Sequence, residues 1–277
     1  MQEVEFQLPH IRLQGLSGGN PDGPLLLALH GWLDNCHSFL PMAPYLNDYN
    51  WLFIDFPGHG YSDHRAPDAH YYFVDWVYDI ECLIRQQGWQ DIHLVGHSMG
   101  GYVAEVLGAL YPESFAKLTL IEAFGLLPAA ADETLQQLRK GLDSRFKQNG
   151  RRAPVYADLN HLVQARARAG ELTPELAELL LQRNLQQVEG GHSWRTDPRV
   201  RTLSPFRFTP EQISDILKNY RLPVQLILGS EGHQDLHRAL EKWGDLVTDK
   251  SVHEVPGGHH VHMQQPQQIA ALLKARY

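Results

Sequence analysis

Cysteine is almost missing from this chain: Cys36 and Cys82 are the only two in 277 residues. That excludes a disulfide framework and makes a reduced, cytoplasmic setting the expectation. No apolar run approaches the ~18 residues needed to cross a bilayer, and Glu3, Glu5, His10 and Arg12 interrupt the region where a signal-peptide core would lie. Runs of five or six basic residues are also lacking, and the formal net charge is −8. This balance argues against nucleic acid or an anionic membrane as partner, and leaves a monomer or homodimer acting on a small molecule. There is no internal repeat and no low-complexity segment. What remains, 43% hydrophobic and 20% charged residues, is enough to bury a large core in one α/β domain carrying an insertion.

Hydrophobic patterning predicts eight strands, at residues 4–8, 11–14, 25–29, 51–55, 92–95, 118–122, 224–228 and 252–255. The first two alternate apolar and polar residues, as a half-exposed antiparallel pair does, whereas the later ones are nearly continuous apolar runs suited to a sheet covered on both faces. Helices are predicted between them, for example over 74–87 and over 210–219, where Thr209 and Gln212 are spaced as a capping box and Pro210 takes the first helical position. About a hundred residues between the sixth and seventh strands exceed a simple crossover. Leu135, Leu138, Leu142 and Phe146 share one helical face, Leu172, Leu176, Leu179 and Leu180 another, and Leu159, Leu162 and Val163 suggest a third helix. The expectation is a core of residues 1–123 and 209–277 with a helical cap over 124–208. The cap would return through the turn-rich segment 190–198 and cover the carboxyl ends of the strands, where ligands bind in open parallel sheets.

The most informative stretch is Gly96-His97-Ser98-Met99-Gly100. A strand precedes it and a helix pattern begins at Tyr102, the context that a G-x-S-x-G turn requires. The glycines remove Cβ atoms that would clash in a sharp reversal, so Ser98 can sit in a strained conformation with its hydroxyl thrust out as a nucleophile. The Met99 N–H, at the helix start, points to the same spot as an oxyanion donor. The turn Leu29-His30-Gly31-Trp32 can present the Trp32 N–H as a second donor. A serine needs a base, and Pro256-Gly257-Gly258-His259-His260-Val261-His262 supplies histidines after the last strand. His259, next to the flexible glycines, is the expected base and His260 the alternate. The same H-H-x-H cluster could instead hold a metal, although no nearby cysteine or carboxylate completes a ligand set. In the segment 55–62, Asp55 and Ser62 are expected to be structural.

These motifs, HGW, D-x-P-G-H-G-x-S, GHSMGG and GGHH-x-H-x-x-x-P, occur in an order that resembles the α/β-hydrolase fold superfamily over essentially the full length. Within it, His30–Trp32, Trp194–Arg199 and Gly258–His262 are similar to the serine hydrolase-like proteins and their bacterial relatives. The resemblance implies an eight-stranded, mostly parallel sheet with a cap, Ser98 and His259 as nucleophile and base, and no cofactor. One departure stands out. Many relatives place an aspartate three residues past the glycine ending the seventh strand, where this chain has Gly232. Glu122, Glu231 and Asp235 could replace it; Leu120-Ile121-Glu122-Ala123 resembles the haloalkane dehalogenase segment whose acid follows the sixth strand, which puts Glu122 first. Dehalogenase activity itself is disfavoured, because those enzymes have an aspartate in place of Ser98.

The function expected is a serine carboxylesterase for small to medium acyl or alcohol groups, with Trp32, Phe124, Trp194, Phe206 and Phe208 lining a mainly apolar pocket and neither cofactor nor metal. The same machinery also serves C–C bond hydrolases, thioesterases, lactonases and perhydrolases. A catalytically silent ligand-binding module is the alternative from another class.

Overall fold

The computed structural model describes residues 1–151 and 153–275. Its main sheet uses β1 (Gln2–Gln7), β2 (Arg12–Gly19), β3 (Leu25–Leu29), β4 (Asn50–Ile54), β5 (Ile92–His97), β6 (Phe115–Ile121), β10 (Val224–Gly229) and β11 (Lys250–Val255), and a smaller sheet holds β7 (Val155–Tyr156), β8 (Leu185–Val188) and β9 (Gly191–Trp194). The strand order is β1-β2-β4-β3-β5-β6-β10-β11. β1 and β2 form an antiparallel hairpin, β2 runs antiparallel to β4, and every later pairing is parallel. An eight-stranded, mostly parallel sheet was expected, and the main sheet has eight strands among the described residues. β2 outruns its predicted end at Gln14 and takes in Gly15, Gly18 and Gly19. In three dimensions they allow close approach: a Cβ at Gly15 would overlap the Phe53 carbonyl, and one at Gly18 the Trp51 ring.

Alternation along the central strands sends side chains to two cores. Leu27 and Leu29 pack with Ile80 of α1 (Phe73–Gln87), Val103 of α2 (Met99–Leu110), Ile213 of α6 (Pro210–Leu217) and Trp243 of α7 (Gln234–Trp243). Leu26 and Ala28 face the other way, onto Phe39 and Met42 of a 3-10 segment (Cys36–Tyr45), Val261 of α8 (Val261–Gln264) and Ile269 of α9 (Pro266–Lys274). Each fully buried Leu or Phe stabilises the fold by about 1.5–3 kcal/mol. The capping box expected at Thr209 forms, with Gln212 N–H on the Thr209 hydroxyl and the Gln212 side chain returning to the Thr209 N–H.

Between β6 and β10 lie α3 (Thr134–Gln148), α4 (Leu159–Gly170) and α5 (Pro174–Asn184). They are joined by a feature that was not anticipated, an antiparallel sheet of β7 (Val155–Tyr156), β8 (Leu185–Val188) and β9 (Gly191–Trp194). Its strands are two to four residues long, too short for a periodic signal, and the glycines read as a loop make its hairpin. α4 and α5 pack through Leu162, Val163, Ala167, Ala177 and Leu181. Leu172 and Leu180 meet Met263 and fasten the insertion to the core. Leu135, Leu138, Leu142 and Phe146 do share one face of α3, and that face points to solvent.

A buried ion network ties the insertion to the sheet. Arg183 of α5, fully buried, donates from Nε to Asp55 Oδ2 (2.6 Å) and from its two terminal nitrogens to Glu3 (2.7 and 3.0 Å). Asp55 also accepts the Cys36 and Tyr61 N–H groups (2.8 and 2.9 Å), while Ser62 Oγ donates to the Asp55 carbonyl (2.6 Å). Both residues are structural, as expected. Arg183→Met should therefore cost about 3–5 kcal/mol, because Asp55 would be left buried without its cationic partner. Urea denaturation is the check, with a loss under about 1 kcal/mol counting against the network.

Candidate active site

Ser98 lies between β5 and α2 with φ 50° and ψ −119°, a region that costs a non-glycine residue about 1–3 kcal/mol. Three glycines make the reversal possible. A Cβ at Gly96 would overlap the Gly100 carbonyl, one at Gly100 the Leu29 carbonyl, and one at Gly101 the Ala123 side chain. Ser98 N–H is held by the Ile121 carbonyl (2.9 Å), so the hydroxyl is the part left to face the cavity. Met99 opens α2, where first-turn N–H groups lack intrahelical acceptors. Trp32 sits in a turn closed by Asp34 N–H on the Gly31 carbonyl (3.1 Å). Two buried histidines brace that turn: His30 Nε2 accepts the Phe56 N–H (3.0 Å), and His59 Nε2 accepts the Leu33 N–H (3.3 Å). Burial lowers the pKa of His30 and takes His59 down to about 3, which keeps these acceptors unprotonated.

Glu122, one residue past β6 and 1% exposed, turns its side chain toward the end of β10. Oε1 accepts the Gly229 N–H (2.8 Å), and Oε2 accepts the His233 N–H (3.2 Å) and His259 Nδ1 (3.1 Å). Gly232 explains why the carboxylate fits. A Cβ at that position would overlap both Glu122 carboxylate oxygens; the side chain missing from position 232 leaves the room that Glu122 fills. Glu231 and Asp235 are exposed, and Asp235 is paired with Arg238 (2.9 Å); neither is bonded to His259. The turn after Glu122 is held by Glu105 of α2, whose two carboxylate oxygens accept the Gly125 N–H (3.1 and 3.0 Å) and whose pKa burial pushes up to about 8.

A cavity of about 480 Å³ brings Ser98, His259, Trp32 and Trp194 together, with Leu162, Arg166 and Arg201 among its other walls. The Ser98 hydroxyl has no hydrogen-bond partner among the described residues, and with Nδ1 of His259 engaged by Glu122, Nε2 is the nitrogen left for it. Three pocket expectations need correction. Phe124 is buried in the core, Phe208 packs edge-on against Phe73, and Phe206 lines a separate small hollow beside Thr134 and Gln137. An aromatic residue's position in sequence does not say which side of the cap hinge it faces.

The histidines after β11 diverge. His259 goes to Glu122, whereas His260 Nδ1 bonds the Gly170 carbonyl (3.0 Å) and its Nε2 faces Asp34 Oδ2 (3.3 Å). His262 is buried with neither ring nitrogen partnered, and its ring lies 4.1 Å from that of His97. Among the described residues, no three His, Cys, Asp or Glu side chains converge as metal ligands. Sequence reasoning missed four contributors. His97 donates from Nε2 to the His259 carbonyl (2.9 Å) and so fixes the loop bearing His259. His233 places its ring 4.2 Å from that of His259. Arg166 pairs with Asp34; burial opposes the charged form of Asp34, but His260 and Arg166 outweigh it and hold the pKa well below the usual carboxylate range. Only the neighbour relation of His97 to Ser98 was visible in one dimension.

Among the described residues no helix is long and apolar enough to cross a membrane. A family model described as alpha/beta hydrolase fold matches residues 24–266. The chain is 30% identical to the serine hydrolase-like protein of Danio rerio, over 98% of this chain and 86% of that one. The crystal structure of a hypothetical protein from Pseudomonas aeruginosa superimposes with TM-score 0.91 at 38% identity, covering 99% of this chain and 98% of that one. The thioesterase domain from the curacin biosynthetic pathway does so with TM-score 0.88 at 26% identity, covering 99% of each.

Proposed function

The chain belongs to the alpha/beta hydrolase fold family and, within it, to the serine hydrolase-like proteins, and from that premise we propose that it hydrolyses carboxylic esters through an acyl-enzyme on Ser98. The observation that carries this reading is the Glu122–His259 hydrogen bond beside the strained Ser98 turn in one cavity. In this reading Ser98 Oγ attacks the acyl carbon as His259 Nε2 takes its proton, and Glu122 holds the imidazole in the tautomer that makes this possible. The N–H groups of Trp32 and Met99 stabilise the oxyanion. His259 then gives the proton to the leaving oxygen, and water releases the acyl group by the same steps in reverse.

Trp32, Leu162 and Trp194 supply apolar wall for a small or medium group. Arg201 lies over the Trp194 ring (5.8 Å) and has no hydrogen bond or ion pair among the described residues, which favours a substrate that also carries an acidic group. The resemblance to a thioesterase domain makes acyl thioesters the second class to try. The test is a panel of p-nitrophenyl and thioester substrates of graded length, neutral and acid-terminated, combined with labelling by a fluorophosphonate. Labelling of Ser98 with turnover of at least one ester supports the reading, and a folded protein that is neither labelled nor active overturns it in favour of a ligand-binding module.

The pH dependence follows from the surroundings of His259. Burial lowers its pKa first; Glu122 works in the other direction, and His260 and His233 add to the lowering. A base must be unprotonated, so activity appears as pH rises through that pKa. The rising limb of kcat/KM should be centred below the ordinary imidazole value of about 6.5. A rate profile with its midpoint above about 7 would contradict this environment.

A further inference from the structure

The outward face of α3 is unusually apolar for a helix face that nothing covers. Leu135 is 81% exposed, Phe146 76%, Leu142 47% and Leu138 39%, and their spacing puts all four on one side. Packing against the rest of the protein uses a different side. Gly141 is the buried residue, set so closely against Pro205 that a Cβ there would come within 2.5 Å of it. Gln137 bonds the Ser204 carbonyl, and Ser144 Oγ accepts the Leu203 N–H (2.9 Å). The apolar stripe is therefore left over after the fold has used this helix.

Basic side chains outnumber acidic ones around the stripe. Residues 131–151 carry five basic side chains and three acidic ones, Asp132, Glu133 and Asp143, in a chain whose net charge is −8. Arg139, Lys140 and Lys147 are exposed on α3 itself, and Arg145 lies over the Tyr72 ring at 4.7 Å. Past the end of the helix, a cleft of about 610 Å³ lined by Arg145, Arg151, His64, His70 and Asp68 continues this cationic surface, with the Arg199 side chain there already held by Asp197. The chain-wide balance that argues against anionic partners averages this local excess away.

We propose that the outward face of α3 is a docking surface for an anionic lipid bilayer, with Leu135, Leu142 and Phe146 entering the headgroup boundary and the flanking Lys and Arg side chains meeting lipid phosphates. An exposed apolar stripe rimmed by cations is the pattern of an interfacial helix. A second copy of the chain fits less well, because a twofold interface would set the same cationic rim against itself and join two chains of net negative charge. The helix lies on the membrane surface and spans nothing.

The test is sedimentation of the full chain with vesicles of phosphatidylcholine alone and of phosphatidylcholine mixed with phosphatidylglycerol, at low and high salt. Binding is expected to the anionic vesicles and to weaken with salt. Arg139→Gln combined with Lys147→Gln should lower partitioning by about fivefold per charge removed, and Leu142→Ser combined with Phe146→Ser by about tenfold or more. All four positions are exposed and outside the site around Ser98, so an unchanged thermal midpoint verifies that the variants fold. No binding to anionic vesicles overturns the proposal. So does binding that the Leu142 and Phe146 changes leave intact, since another surface would then be responsible. A concentration-dependent dimer abolished by those changes, without vesicle binding, would assign the face to a second copy instead.

Discussion

Ser98→Ala is expected to lower kcat by about 10⁴–10⁶-fold on any ester the protein turns over, and to abolish fluorophosphonate labelling, while the thermal midpoint stays near that of the parent. In the proposed mechanism the size of the effect reflects the loss of covalent catalysis as a whole: without the oxygen there is neither a proton transfer to His259 nor an acyl-enzyme. The fold should tolerate the change because the demanding feature is the backbone at φ 50°, and the flanking glycines that permit it are untouched. Alanine keeps the Cβ and removes a hydroxyl with no hydrogen-bond partner among the described residues. Near-normal turnover by a folded variant would remove Ser98 from the reaction. His259→Ala should do comparable damage, whereas His260→Ala should be milder, since that ring serves Asp34 and the Gly170 carbonyl.

Glu122→Gln is expected to lower kcat by about 10⁴-fold, the scale seen when the orienting carboxylate of a serine–histidine pair becomes an amide. The amide presents a donor where His259 Nδ1–H needs an acceptor, which favours the wrong tautomer, and it cannot stabilise the imidazolium. Glu231→Gln and Asp235→Asn should stay within about tenfold, as exposed groups not bonded to His259. Gly232→Ala offers an independent route to the same point. It changes no ionisable group, yet its methyl would overlap the Glu122 carboxylate and push it off His259, so a loss of about 10²-fold or more is expected. If Glu122→Gln proves mild and either loop carboxylate proves severe, the orienting acid lies after β10 instead.

Much of the core was legible because its signals are local. The nearly continuous apolar runs of β3, β5, β6 and β10 can be satisfied only in a sheet covered on both faces. The Gly96–Gly100 spacing likewise has one physical use after such a strand. β2 was cut short and β7 to β9 were missed for a shared reason. Glycine means a turn in one dimension and close approach in three, and strands of two to four residues carry no period to read. Leu135, Leu138, Leu142 and Phe146 were legible as a stripe, but a stripe in sequence states only that one side is apolar, not that anything covers it.

The sequence by itself determined the α/β class, the strained turn presenting Ser98 and a histidine loop after the last strand, since each depends on contacts within a few residues along the chain. Tertiary structure decided what depends on distance between strand ends: that Glu122 rather than Glu231 or Asp235 reaches His259, across 137 residues of chain. It decided this through Gly232, whose missing side chain is an absence that only a neighbouring strand can fill. It likewise divided the three histidines among Glu122, Asp34 and a buried ring contact with His97, and left Phe124 in the core. Residue type limits what a side chain can do, but whether it does so is set by which partners the packed elements bring within about 3 Å.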